Sequence, residues 1–214
     1  MGPTSLQFLP PVVMSYTLIA HYNRPIAVRS QVEFRGYALE AVDLAVDLVN
    51  TYNAFRKIDR LTDPRALESF LHERHRTDIR IAERDLGEVR ELRGRLRDIF
   101  EAHDQGVAAA AINSLLQESG ALPRLTDHDG SEWHLHYTGA KVPLAQELAA
   151  VTAMGLAVLM SDERWNRIHI CEGDRCLDVF VDQSKNRSRR FCSPEVCGNR
   201  ASVAAYRRRA RAGG

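Results

Sequence analysis

The sequence predicts a mainly α chain. A helical amino-terminal domain with one short β-hairpin precedes a small carboxyl-terminal module built on four cysteines. Three observations predict this: apolar residues recur at helical spacing through much of residues 40–160, every cysteine lies within 171–197, and the last 32 residues differ sharply in charge from the rest. The resulting division is an amino-terminal extension over 1–30, a helical domain over 31–162 and the cysteine module over 163–214.

Glu40 to Tyr52 reads as the first helix, with Leu44 and Leu48 one turn apart and Val42, Ala45 and Val49 beside them. Asp63-Pro64 is a cap followed by a first-turn proline and opens a helix through about Arg76. Asp78 to His103 is a long amphipathic helix, in which Ile79, Ala82, Leu86, Val89, Leu96, Ile99 and Phe100 keep a 3.6-residue period. Gly87 and Gly94 weaken it by about 1 kcal/mol each relative to alanine. Val107 to Ser119 is the next helix, closed by Gly120. Between Pro123 and Gly139 the pattern changes. Asp127-His128-Asp129-Gly130 signals a turn and Trp133 to Tyr137 alternates, so a hairpin is expected. Pro143 to Met160 is apolar almost all round, which places it at the centre of the core.

Composition bounds the function. With 44% hydrophobic and 27% charged residues, a 214-residue chain folds rather than remaining disordered. The longest apolar run, Leu148 to Met160, is shorter than the roughly 18 residues of a membrane span. Residues 1–5 carry no basic segment, and Pro10-Pro11 interrupt any signal-like apolar stretch. The expectation is a cytoplasmic protein with no membrane partner.

Residues 183–214 hold nine cations against the single acid Glu195, a net +8, which leaves −7 for residues 1–182 of a chain whose total is +1. Such asymmetry marks a polyanion-binding end on an acidic body. Cys171, Cys176, Cys192 and Cys197 fall in or beside it, in the pattern C-x4-C-x15-C-x4-C. Two close pairs separated by a hairpin-sized gap suit a tetrahedral Zn2+ site, each pair supplying two thiolates. Disulfides are disfavoured in a cytosolic chain. In the gap, Leu177 to Val181 alternates, Asp182 to Asn186 is turn-like and Ser188 to Phe191 returns, so a hairpin is expected there. A helix follows the fourth cysteine, with Ser193 as cap, Pro194 in the first turn and Glu195 at the positive end of the dipole. Arg200, Arg207 and Arg211 form one stripe with Arg208 further round, while Val196, Val203, Tyr206 and Ala210 form a neighbouring face expected to pack on the cysteine knuckles. Arg189 and Arg190, beside Cys192, are the cations best placed to offset the charge of about −2 on a tetrathiolate zinc centre.

The stretch from Asn186 to Arg200, with Cys197-Gly198-Asn199-Arg200 at its end, resembles the CGNR zinc finger. The resemblance covers about Arg167 to Arg211. Phe191 supplies an aromatic where relatives often have tryptophan, and Leu177-Asp178 departs from their bulkier pattern without touching the ligands. The string Leu44 to Thr51, the Leu61 to His75 segment and the long helix resemble the ABATE domain, over about Val32 to Met160. That domain commonly precedes the finger and is described as a stress-induced transcription regulator. Together these resemblances imply a bacterial regulator with a carboxyl-terminal zinc module that binds double-stranded DNA; the module is expected to be a treble-clef-like, four-cysteine finger, and its basic stretch offers Arg187, Arg189, Arg190, Arg200, Arg207, Arg208 and Arg211 as the candidate contacts. They leave open a small-molecule ligand of the helical domain, a homodimer, and use of the finger for protein or RNA binding or as a thiol redox switch.

Enzyme motifs are weak, and no catalytic activity is expected. His72-Glu73-Arg74-His75 is one residue short of a zinc-peptidase helix. His134 and His136 share a strand face, His169 lies two residues before Cys171, and Asp47 and Asn50 lie one turn apart. Each fits a structural role better than a catalytic one.

Overall fold

Among the described residues the chain forms six α-helices and three two-stranded ribbons. The computed structural model describes residues 28–74, 81–126, 134–137 and 142–212, with side chains omitted for 28–37, 126 and 134–136. Residues 36–214 form one compact unit; of the other, residues 1–35, only the backbone from Val28 onward, the start of α1, is described.

Helix α1 spans Val28–Asn50, twelve residues earlier than the apolar pattern suggested. Its end is sharper than expected. The Thr51 hydroxyl donates to the Leu48 carbonyl at 2.6 Å, and the chain turns into a ribbon of β1 (Tyr52–Asn53) and β2 (Ile58–Asp59) that no sequence signal announced. Helix α2 runs Pro64–His72, and the Asp63 carboxylate caps it by accepting from Ala66 N at 3.0 Å. The helix ends short of the expected Arg76: Glu73 is its C-cap and Arg74 N turns back to the Leu71 carbonyl, while residues 75–76 lie outside the described residues. Helix α3 covers Glu83–Glu101, and residues 78–80 of the expected helix also lie outside them. It begins only after Ala82 because the buried Asp85 carboxylate reaches back to accept from Ala82 N at 2.7 Å. Helix α4 (Gln105–Glu118) starts behind Asp104, whose carboxylate accepts from Val107 N. Gly120 follows it with φ +60°, the left-handed conformation a helix-terminating glycine supplies.

The expected hairpin is present as β3 (Arg124–Thr126) and β4 (His134–His136), antiparallel with Leu125 opposite Leu135. Its turn lies outside the described residues, as do the side chains of His134 and His136. Helix α5 (Leu144–Ser161) is long and apolar enough by length and composition to cross a membrane. Here it is the central core helix: Leu148, Ala150, Ala153 and Leu156 have no exposed surface and pack with Leu48, Val89, Leu96 and Ile112 from α1, α3 and α4 in one core.

That core continues into the cysteine module. Strands β5 (Ile168–Ile170) and β6 (Val179–Val181) pair antiparallel, and Val179 and Val181 belong to the same apolar cluster as the helices. The hairpin expected between Leu177–Val181 and Ser188–Phe191 is therefore replaced. Strand β6 pairs with the segment before Cys171, and residues 188–191 form no strand. The reason is burial on both faces. All three β6 side chains are buried, Val179 and Val181 in the helical core and Phe180 against the cysteines, so β6 does not alternate as a half-exposed strand would.

Candidate metal centre and basic surface

The β5–β6 hairpin carries Cys171 and Cys176 in its connecting loop. Cys171 N donates to the Asp178 carbonyl at 2.8 Å, closing the hairpin, and Cys176 N donates to the Gly173 carbonyl at 3.0 Å, making the tight turn between the two sulfurs. Arg175 just before Cys176 takes a left-handed φ of 58°. A Cβ on Gly173 would stand 3.1–3.3 Å from Cys197 and from the Cys171 sulfur, so the turn accepts nothing larger than glycine without displacing a ligand. Cys192 and Cys197 flank the start of the last helical segment. Ser193 caps it by accepting from Val196 N, Pro194–Gly198 forms one wide π turn, and α6 follows as Asn199–Ala212.

These two pieces bring the four cysteine Sγ atoms within 4.8 Å of one another. Cys192 Sγ is 3.7 Å from both Cys176 Sγ and Cys197 Sγ. An ion bound to four sulfurs at about 2.3 Å in a tetrahedron separates them by about 3.8 Å, so the donor set fits zinc in type, number and spacing. N–H groups support the sulfurs from outside, as Gly173 N and Cys192 N donate to Cys171 Sγ at 3.4 and 3.3 Å. Burial opposes ionisation of Cys171, yet those N–H donors outweigh it and draw its pKa below the usual thiol value. Burial pushes the Cys176 thiol up to about 12, with the Asp178 carboxylate adding to the effect, and burial and the neighbouring sulfurs raise Cys192 as well. Without a cation the cluster therefore holds protons, and zinc would take their place. Bound there, zinc would supply no catalysis, since all four positions are filled by protein; it would tie the hairpin to the helix. His169 stays outside the four-sulfur group, with its ring 5.6 Å from Phe180 and its Nε2 buried without a partner among the described residues.

The seven candidate arginines separate into two groups. Arg189 lies over the Phe180 ring and donates to the Phe191 and Cys192 carbonyls, while Arg190 pairs with Glu172, its Nε 2.8 Å from Glu172 Oε2. Both brace the cysteine loops. Arg187, Arg200, Arg207, Arg208 and Arg211 are exposed, and their side chains have no partner among the described residues. The apolar face of α6 departs from expectation. Val196, Val203 and Tyr206 are 49%, 47% and 68% exposed, and no α6 residue is buried, so this face does not pack on the knuckles. The knuckles are covered instead by Phe180 and Phe191.

Two residues that hold the site together, Asp182 and Arg167, escaped the sequence reading, and a third, Asn50, was expected only in a structural role whose partner was not named. Asp182, with no exposed surface, accepts from Ser184 N and Arg189 N and so shapes the loop that carries Lys185 and Arg187. Hydrogen bonds from Ser184 and from the Arg189 backbone lower its pKa to about 2. Arg167 donates to the carbonyls of Asp182 and Ser184. Asn50, at the end of α1, exchanges two 2.9 Å hydrogen bonds with Val179, one to its carbonyl and one from its N–H, as a strand neighbour would. Asp47, one turn earlier, pairs with Arg74 at 2.9 Å. The turn-like run from Asp182 and the one-turn spacing of Asp47 and Asn50 were the signals available; nothing local names Val179 as the partner of Asn50, and nothing marks Arg167.

A helical body ending in a four-cysteine cluster of this geometry defines a zinc-finger protein. Comparison with protein families makes this specific. The family described as ABATE, putative stress-induced transcription regulator, matches residues 42–163, and the CGNR zinc finger matches residues 167–210. The first match covers more than half of the chain, which belongs to the ABATE family. Comparison with curated proteins gave no match.

Proposed function

We propose that this protein is a cytoplasmic, non-catalytic transcription regulator that binds double-stranded DNA through the zinc-organised basic end. One observation carries the reading: Arg187, Arg200, Arg207, Arg208 and Arg211 are exposed on a metal-ordered module with no side-chain partner among the described residues. Cations left unpaired in this way attract phosphates, and neutralising them releases counterions. In this reading the helical domain carries regulation. A cavity of about 430 Å³ opens beside the end of α1, lined by Asp47, Asn50, Thr51, Phe70 and Arg74 among others, and is the natural place for a small ligand. Asn50 connects that wall directly to β6 in the finger.

The test is a titration of zinc-loaded protein with mixed-sequence duplex at several salt concentrations, followed by fluorescence anisotropy. If about five phosphates are engaged, log K falls against log salt with a slope of roughly −4 to −5. A variant with Cys192 and Cys197 changed to serine should lose both the affinity and the slope. Absence of binding at low salt would assign the basic surface to a protein or RNA partner instead.

A further inference from the structure

Helix α6 is organised across its width. At about 100° per residue, Asn199, Val203, Tyr206 and Ala210 fall on one strip, with Ser202 at its edge. Arg200, Arg207 and Arg211 line one side of the strip, and Arg209 stands on the other. Ala201 and Ala205, the only half-buried residues of the helix, lie on the opposite face. The strip is thus presented outward. It is apolar at Val203 and Tyr206, which are 47% and 68% exposed, and it opens with an asparagine whose amide has no partner among the described residues. Ser202 is already committed, its hydroxyl donating to the Gly198 carbonyl at 3.0 Å.

An exposed apolar strip with a row of arginines on one side and Arg209 on the other needs an occupant that is negative at its edges and uncharged in the middle. A second copy of α6 would set arginine against arginine. A duplex groove has phosphate walls and a floor of base edges. The DNA major groove, about 12 Å wide, admits a helix about 10–12 Å across, whereas the A-form RNA major groove is too narrow for one. We propose that α6 enters the major groove of double-stranded DNA and that its central strip reads sequence, with Asn199 hydrogen-bonding an adenine edge and Val203 touching a thymine methyl. The flanking arginines hold the phosphates and carry no sequence information. The CGNR tetrapeptide then divides into two halves. Cys197 and Gly198 belong to the metal turn, while Asn199 and Arg200 face the nucleic acid, one toward bases and the other toward the backbone. This inference rests on the DNA-binding reading above and adds to it which residues specify the sequence.

The experiment uses the full-length zinc-loaded protein. A preferred site is selected from a randomised duplex pool, and the wild type is compared with Asn199→Ala, Val203→Ser and Arg207→Gln on that site and on mixed sequence. Zinc content of each variant confirms that the finger is intact. The expected result is a loss of about ten- to a hundredfold on the selected site for Asn199→Ala and Val203→Ser, with mixed-sequence affinity and salt slope unchanged. Uracil in place of thymine in the selected site should weaken the wild type and leave Val203→Ser unaffected. Arg207→Gln should weaken all sequences together and reduce the slope by about 0.9. If the wild type binds duplex with the expected slope but enriches no site, or if the strip variants bind the selected site as tightly as wild type, the sequence-reading strip is overturned and the DNA-binding reading stands. If the wild type binds no duplex, both fall.

Discussion

Arg93 lies in α3 with 9% of its surface exposed, yet its charge is matched closely. Its two terminal nitrogens contact both Asp59 oxygens at 2.6 and 2.7 Å, and one also donates to the Thr51 hydroxyl at 3.1 Å. The β1–β2 ribbon is thereby pinned to the helical core by a bidentate ion pair. Replacing Arg93 with methionine removes both of these bonds, leaves the half-buried Asp59 with Arg90 at 3.4 Å and the Leu61 N–H, and should lower stability by about 1–3 kcal/mol, read by urea unfolding. Burial tends to raise the pKa of Asp59, but the hydrogen bonds and charges of Arg93 and Arg90 prevail and hold it below the ordinary 3.8. A depressed carboxylate contributes stability that is present above its unfolded pKa and is lost as pH falls through its folded one. The wild type should therefore lose stability below about pH 4, and Asp59→Asn, already weakened at pH 7, should lose less over the same interval. Asn50 permits a second residue-scale prediction. Changing it to alanine leaves the N–H and carbonyl of the fully buried Val179 without partners and should cost about 1–3 kcal/mol.

Two glycines show how packing between elements overrides a local rule. Gly94 lies exposed on α3, and a Cβ built there meets nothing within 4 Å. Gly155 in α5 is the point where α5 meets α1, and a Cβ there would stand 2.7 Å from the Ala41 Cβ and 3.1 Å from the Ala38 carbonyl. By helix propensity both should gain from alanine. The structure predicts opposite signs. Gly94→Ala should stabilise by up to about 1 kcal/mol, whereas Gly155→Ala should destabilise by about 1–3 kcal/mol because α1 must shift to admit the methyl. Thermal denaturation of the two variants side by side measures both effects, and a stabilised Gly155→Ala would show that the α1–α5 contact is looser than described.

At the scale of the whole molecule, the finger is joined to the helical core through β6. Val179 and Val181 are packed among the helices while the loop between β5 and β6 carries half of the metal ligands. Metal binding at structural four-sulfur sites contributes on the order of 10–16 kcal/mol to folding. Because β6 gives Phe180 to the small cluster around the cysteines and Val179 and Val181 to the helical core, part of that energy should reach the helices. Chelation of zinc should lower the melting temperature of the helical signal as well as unfold residues 171–198; an unchanged helical transition would mean that the module folds apart from the body. Because burial holds Cys176 and Cys192 protonated without metal, protons compete with zinc. Affinity should rise with pH, and binding should release protons that calorimetry in buffers of different ionisation enthalpy can count.

The sequence by itself determined the parts whose signals are local. Asp63-Pro64, the 3.6-residue period of α3, Gly120 and the C-x4-C pairs each act over a few residues, and the helices, caps and cysteine cluster follow from them. The ends of α1 and α3 were less legible because each is set by a side chain that finds a backbone partner, Thr51 in one case and Asp85 in the other. The tertiary structure decided what depends on distant partners. Strand β6 could not be paired from its own pattern, because burial from two sides erases alternation. The spacing of Asp47 and Asn50 suggests a structural role, but the partner of Asn50 is known only once folding brings Val179 to it from 129 positions away. The arginines are identical in sequence, and only the folded loops divide them: Arg189 and Arg190 find carbonyls and Glu172, while those on α6 are left facing outward. The apolar strip of α6 looked like a packing face because hydrophobic spacing reports which residues share a side of a helix. What that side meets is set by the rest of the chain, and here Phe180 and Phe191 had already covered the cysteines.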